Sequence, residues 1–232
     1  MLRCLVGLLC AVLVAGSPLA DTAAAAEAPA TDLVIPGATG ESIQLLRIDT
    51  RNTPIKIDGF VDEPVWQQAG VIDDFVTLEP DTLVPGKYPT HLRVLYSDRG
   101  MYVSAVMEQP LDSLVRRLTG RDQRDNRDSF SVTIDTSGEG RYGFWFGINL
   151  GDSLMDGTVL PERVFTNDWD GPWYGRSQIT DSGWSMEMFI PWGVVSMPAS
   201  GDVRRVGMYV SRKVAFIDER WGWPALPPTQ PK

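Results

Sequence analysis

Between Asp128 and Asn149 the sequence reads DSFSVTID, TSGEGR and YGFWFGIN, and few folds accommodate such a stretch. Phe130, Val132 and Ile134 alternate with Ser129, Ser131, Thr133 and Asp135. A period of two puts one apolar face on a core and one polar face toward water, as in a half-buried strand. The six residues that follow carry Ser137, Gly138 and Gly140, which is turn chemistry in a longer hairpin loop. Beyond them Tyr142, Phe144, Phe146 and Ile148 share one face, and Gly143, Trp145, Gly147 and Asn149 the other. The pattern predicts two neighbouring antiparallel strands at the centre of an all-β domain, with Trp145 on the polar face of the second. It contains no nucleophile, general base or cofactor loop, so it suits holding a ligand better than transforming one.

Further strands are expected on both sides. Ile43–Ile48 reads as an edge strand. In PIKIDGFVDEPVWQQAG (Pro54–Gly70), Asp58-Gly59 is a turn and Asp62 caps a short helical turn holding Pro64 and Trp66. Trp66 is either a sugar-stacking platform or an anchor for this turn, and the anchor is the favoured reading. Leu92, Val94 and Tyr96 alternate before Asp98-Arg99-Gly100 turns the chain into Met101–Met107. Trp184, Met186, Met188 and Ile190 alternate with Ser185, Glu187 and Phe189 in another core strand, which leaves Trp184 buried. Val206, Met208 and Val210 mark the last expected strand. Trp221, Trp223 and four prolines then read as a tail or linker over 216–232.

At the amino end, Arg3 and the apolar run Cys4–Ala15 precede small residues and an alanine-rich tract. This is the pattern of a secretory signal, with cleavage between Ala20 and Ala26, and it is short for a membrane span. Residues 1–26 are thus assigned to signal and leader, 27–42 to a flexible linker, and 43–215 to the domain. Leu9 argues against lipidation of Cys10. Both cysteines fall in the signal, so the exported protein is expected to rely on its core or a bound ion instead of disulfides. The chain carries 21 basic and 30 acidic residues, a net charge of −9, which argues against nucleic acid or an anionic membrane as partner. The surplus of carboxylates permits calcium.

Residues 114–128 (LVRRLTGRDQRDNRD) interleave five arginines with Asp122, Asp125 and Asp128. The stretch reads as a solvated, self-paired loop, or as one whose Asp125 and Asp128 hold a hard cation at the mouth of the central strand. From Gly151 to Gly175 a long loop is expected, with Trp169, Trp173 and Tyr174 beside Asp168 and Asp170. Indole rings match the apolar C–H faces of sugars while carboxylates and amides meet their hydroxyls, so this loop is a candidate glycan site. The competing reading folds one or both tryptophans back as lids over the core.

Catalysis is poorly provided for. His91 is the sole histidine, at a strand start, where a structural role is favoured. A Cys–His site is excluded from the exported chain, and a zinc site would have at most one imidazole. Glycoside hydrolysis needs two convergent carboxylates; Glu187 and Asp135, on opposite sheets, read equally well as surface acids. No catalytic residue is assigned.

Four segments in order, IDGFVDEPVW (Ile57–Trp66), RDNRDSFSVTIDT (Arg124–Thr136), YGFWFGIN (Tyr142–Asn149) and DSGWSMEMFIPW (Asp181–Trp192), resemble the family 9 carbohydrate-binding modules. The likeness is strongest to relatives at the amino end of bacterial proteins thought to continue into an outer-membrane β-barrel, and it covers roughly Pro54 to Arg212. It implies an antiparallel β-sandwich of jelly-roll or immunoglobulin-like type, oligo- or polysaccharide binding through aromatic side chains, and calcium as a structural ion. Trp145, Asn149, Trp169 and Trp173 are then the candidate carbohydrate-binding residues, and Asp125, Asp128 and Asp135 the candidate metal ligands. The expected function is non-catalytic glycan recognition tied to polysaccharide catabolism, in the periplasm or at the outer membrane. One alternative is an envelope docking domain whose partner is an outer-membrane β-barrel. Another is O-glycosyl hydrolase activity, carried by a fused or neighbouring domain.

Overall fold

The alternation between Asp128 and Asn149 becomes the central hairpin of the larger of two packed sheets. The computed structural model describes residues 32–37, 42–123, 125–197 and 203–225, so the expected signal and leader at 1–26 lie outside the described residues. Fifteen strands occur among the described residues. In order they are β1 (Asp32–Pro36), β2 (Ser42–Gln44), β3 (Leu46–Arg47), β4 (Val76–Glu79), β5 (Thr90–Tyr96), β6 (Gly100–Glu108), β7 (Ser129–Asp135) and β8 (Gly143–Asn149). The rest are β9 (Leu154–Leu160), β10 (Val164–Thr166), β11 (Tyr174–Thr180), β12 (Gly183–Pro191), β13 (Val203–Arg205), β14 (Gly207–Val214) and β15 (Glu219–Trp223).

One sheet has seven strands in the order β10-β9-β8-β7-β14-β15-β4, and the other five in the order β11-β12-β6-β5-β3. In the central hairpin Phe130 faces Ile148, Val132 faces Phe146 and Ile134 faces Phe144, and β14 pairs antiparallel with the free side of β7. The inner face of this hairpin meets Val94, Met101, Val103, Met186 and Met188 of the five-stranded sheet in one core cluster. The chain is therefore an all-β sandwich, as its alternation predicts.

The five-stranded sheet is covered on its outer side too. A 3-10 turn at Pro64–Gln68 places Val65 and Trp66 against Leu95, Tyr102 and Phe189 in a second cluster. Trp66 is fully buried, which makes it the anchor of the Pro54–Gly70 segment. Outward residues of β12 fasten that segment: the Ser185 hydroxyl donates to the Gly59 carbonyl at 2.5 Å, and Glu187 accepts from the Asp58 and Gly59 amides at 3.0 Å each.

Three boundaries expected from the sequence change. The linker reading of 27–42 gives way at β1, where Leu33, Val34 and Ile35 are buried and pair with β13 and β2 in a small third sheet. The tail reading of 216–232 gives way at β15, which lies between β14 and β4 with Trp221 and Trp223 buried. Both strands are held by partners far away in sequence, which local composition does not register. The expected loop Gly151–Gly175 contains β9 and β10 and only a short aromatic connection. Alternation fails there because Met155 and Val159 point outward, whereas the inward position opposite Phe146 is taken by Asp156.

Candidate functional site

The outer face of the seven-stranded sheet is concave. A single cavity of about 1000 Å³ is lined by Phe165 of β10 at one edge and by Leu78 and Glu79 of β4 at the other, so the sheet curls into a trough. The polar sides of β7 and β14 form its floor. Ser129, Ser131 and Thr133 stand in a row on β7, and the Ser131 hydroxyl lies 2.9 Å from that of Ser211 on β14. Tyr209, next along β14, adds a phenol whose ionisation burial pushes up.

Aromatic rings form the walls. Tyr142 is 61% and Phe165 42% exposed, so both rings are presented to the trough and to solvent. Trp145 lies beneath Phe165, edge-to-face at 6.2 Å and only 6% exposed, with its indole N–H donating to the Thr166 carbonyl at 3.0 Å. Gly157, facing Trp145 across the ladder, makes that bond possible: a Cβ there would overlap the Thr166 carbonyl oxygen and come within 2.7 Å of Trp145 Nε1.

Charged residues mark the rim. Asp135 holds the β7–β8 loop, accepting from the Ser137 amide at 2.9 Å, from the Ser137 hydroxyl at 2.6 Å and from the Gly140 amide. That loop sets Arg141 beside Tyr142. In the β9–β10 hairpin, Glu162 (φ 66°) and Arg163 (φ 60°) both take the left-handed conformation, which costs a non-glycine residue about 1 kcal/mol each. The turn brings Arg163 close enough to act electrostatically on the Tyr209 phenol, together with Arg220 and Glu79. At the opposite end Arg127 is 2% exposed. Its Nη2 donates to the Gln123 carbonyl and lies 3.6 Å from Met155 Sδ, while Nη1 has no hydrogen-bond partner. Its nearest carboxylate, Asp125, is 3.6 Å away, and burial pulls the Arg127 pKa down against that attraction.

Of the four residues expected to bind carbohydrate, only Trp145 lines the trough. Asn149 is fully buried in the β8–β9 turn, where its side-chain oxygen accepts from the Ser153 amide at 3.3 Å, so no sugar reaches it in this conformation. Trp169 and Trp173 fold back over the core: Trp169 packs 5.0 Å from Phe144, and Trp173 lies edge-on to Phe146 at 5.5 Å and is 4% exposed. They are lids. The trough's own aromatics, Tyr142, Phe165 and Tyr209, were not among the expected residues. Tyr209 had a signal, because it alternates with the inward Met208 and Val210.

The three expected metal ligands do not converge. Asp128 and Asp135 are seven residues apart along one strand, roughly 23 Å at the usual rise, and so belong to opposite ends of the sheet. Asp128 is fully buried and saturated: Oδ1 accepts from the Ala215 amide at 2.8 Å, and Oδ2 from the Val115 amide at 2.8 Å and Gln109 Nε2 at 3.1 Å. Burial pushes its pKa up, and those bonds oppose the rise. Nearby, Arg212 is also buried, donating to the Pro89 and Glu108 carbonyls at 2.9 and 2.7 Å, with burial lowering its pKa to about 9. Asp125 is half-exposed and faces Arg127.

Among the described residues the carboxylates that do converge are Asp122, Asp156 and Asp170. Arg121 stands among them, 2.6 Å from Asp156, 2.9 Å from Asp170 and 3.6 Å from Asp122. A calcium ion takes six to eight oxygens at 2.3–2.6 Å, and a guanidinium in that position is incompatible with it. As folded, this cluster fits an arginine bridge and not the calcium that the resemblance implies. Glu187 and Asp135, weighed as a hydrolytic pair, stand on different sheets, and Glu187 is completely covered.

No protein-family model matches the chain, and no curated protein matches it. Solved structures do. A family 9 carbohydrate-binding module from Caldicellulosiruptor kristjanssonii, in complex with cellotriose, superposes with a TM-score of 0.53 at 13% identity, over 77% of this chain and 82% of that one. A candidate carbohydrate-binding protein from Bacteroides uniformis ATCC 8492 superposes with a TM-score of 0.59 at 11% identity, over 81% and 91%. At these identities the likeness is one of fold, and the fold is the one the four sequence segments predict.

Proposed function

We propose that this chain is an exported, non-catalytic carbohydrate-binding domain that holds a glycan in the trough of the seven-stranded sheet, in the service of polysaccharide breakdown. The observation that carries the proposal is the trough itself. Exposed Tyr142 and Phe165 offer faces for the C–H surfaces of sugar rings, and the hydroxyls of Ser129, Ser131, Thr133 and Ser211 lie where ring hydroxyls need partners. The shared fold supports it, since the Caldicellulosiruptor kristjanssonii module carries cellotriose. Export rests on the signal-like residues 1–26. A trough this open to solvent implies modest affinity, about micromolar to millimolar.

The test is isothermal titration of the domain against xylan, cellulose and mannan oligosaccharides, with Tyr142→Ala and Phe165→Ala as probes. Both side chains are exposed, so their loss leaves the fold intact. Saturable heat that falls at least severalfold in either variant supports the trough. Unchanged affinity in both removes it from the site. No heat with any sugar, from a folded protein, rejects glycan binding in favour of docking on an envelope barrel.

A further inference from the structure

We propose that the trough prefers an anionic glycan, a polymer of hexuronic acid units, to a neutral one, and that Arg127 is the residue that selects it. The inference rests on reading the trough as the glycan site. In a chain with 21 basic and 30 acidic residues, the trough lining reverses the balance, with five basic side chains against four acidic. Two acids are already engaged, Asp135 by its own loop and Glu79 by Arg220 at 3.1 Å. Two of the bases are likewise engaged, Arg220 by Glu79 and Lys213 by Asp218 at 2.6 Å, so selectivity turns on which cation lacks a partner.

Arg127 is the sharper observation. A guanidinium keeps its proton in proteins, so burying one demands acceptors. Arg127 is 2% exposed, yet Nη1 has none, and Asp125 at 3.6 Å is beyond hydrogen-bond reach. The Asp125 side chain is half-exposed and can swing into water at little cost. A ligand carboxylate taking its place would meet the guanidinium fork in a paired geometry that a neutral hydroxyl cannot reproduce. Arg141 stands at the other end of β7, about 26 Å away at the strand rise, so an oligomer rather than a single sugar spans both cations.

The experiment is isothermal titration of the whole domain with a galacturonate pentamer and, separately, with cellopentaose, each at low and high salt. The uronate should bind about tenfold tighter, the scale of one charge-assisted hydrogen bond, and the advantage should shrink at high salt. Arg127→Met should abolish the preference. Arg141→Gln, at an exposed position, should weaken the uronate severalfold more than it weakens cellopentaose, and it keeps the test decisive if Arg127→Met fails to fold. Equal affinity for the two pentamers, with both weakened by Phe165→Ala, would overturn the anionic preference and leave the carbohydrate reading standing. Failure of both pentamers to bind would overturn the two together.

Discussion

Glu187 is predicted to make this domain less stable as the pH rises from mildly acidic to neutral. Its carboxylate fastens the Pro54–Gly70 segment to β12: Oε2 takes the Asp58 and Gly59 amides, and Oε1 takes the Trp66 indole at 3.0 Å. The same indole reaches Glu63 at 3.1 Å, so two carboxylates share one donor. Burial is the largest influence and pushes the Glu187 pKa from 4.5 to about 7; the Glu63 charge adds to the rise, and the three donors oppose it. Between those values the folded chain holds a proton that the unfolded chain has released. Stability from this group is therefore complete below pH 4.5 and is lost as the pH climbs through about 7. That interval corresponds to ~3 kcal/mol, a large part of a domain's stability. Urea unfolding at about pH 5 and about pH 8 reads it directly. Asp128 and Asp156, also raised by burial, slope the same way, so the decisive quantity is the difference between the native chain and Glu187→Gln. The variant cannot titrate and should lose most of the slope. Its overall level should also fall, by about 1–3 kcal/mol, because an amide cannot accept from all three donors. Glu63→Gln keeps an acceptor for Trp66 and should make the slope shallower. A slope that persists undiminished in Glu187→Gln refutes the reasoning.

Trp221→Ala should cost about 3–5 kcal/mol in chemical unfolding, as expected of a core tryptophan and not of a linker. Ending the chain at Asp218, which deletes β15, should abolish cooperative unfolding; a folded truncated domain would restore the tail reading. Trp173→Ala should lower the melting temperature and leave the glycan affinity of the surviving folded fraction unchanged. Arg121→Met should destabilise by about 1–3 kcal/mol, less than for a wholly buried pair because Arg121 is 39% exposed. That variant, with three carboxylates left together, should show a larger calcium-dependent rise in melting temperature than the native chain.

The parts of the fold that were legible are those where one face of a strand meets the core and the other meets polar groups. The central hairpin satisfies that condition, and β5–β6 and β12, whose second face is covered by the Pro54–Gly70 segment, still lie where the alternation puts them. Trp221 and Trp223 also alternate, across Gly222, but the prolines that follow outweigh two residues of pattern. Trp169 and Trp173 were misplaced for a different reason. Tryptophan suits a sugar and a core equally, and nothing in their neighbours states that Phe144 and Phe146 lie within 6 Å. Asp128 and Asp135, expected together as metal ligands, stand apart for a reason the sequence already contains: an odd interval on one strand puts two side chains on opposite faces. The trough could not be read from the sequence, because it depends on the curl that brings β10 and β4 to one cavity.

The pairing of β1 with β13, and of β4 with β15, also governs the order in which this chain can fold. The β7–β8 hairpin needs only its own residues, but the small sheet waits for Val203–Arg205, and the seven-stranded sheet gains β4 only once Glu219–Trp223 is available. A chain emerging from its amino end can pair β1 with β2 at once, but it carries the β13 side of β1 and the β15 side of β4 uncovered through most of its synthesis. Such non-local closure slows folding and prolongs the exposure of apolar strands. Under the export proposed above, this delay would keep the chain threadable until β15 has been made.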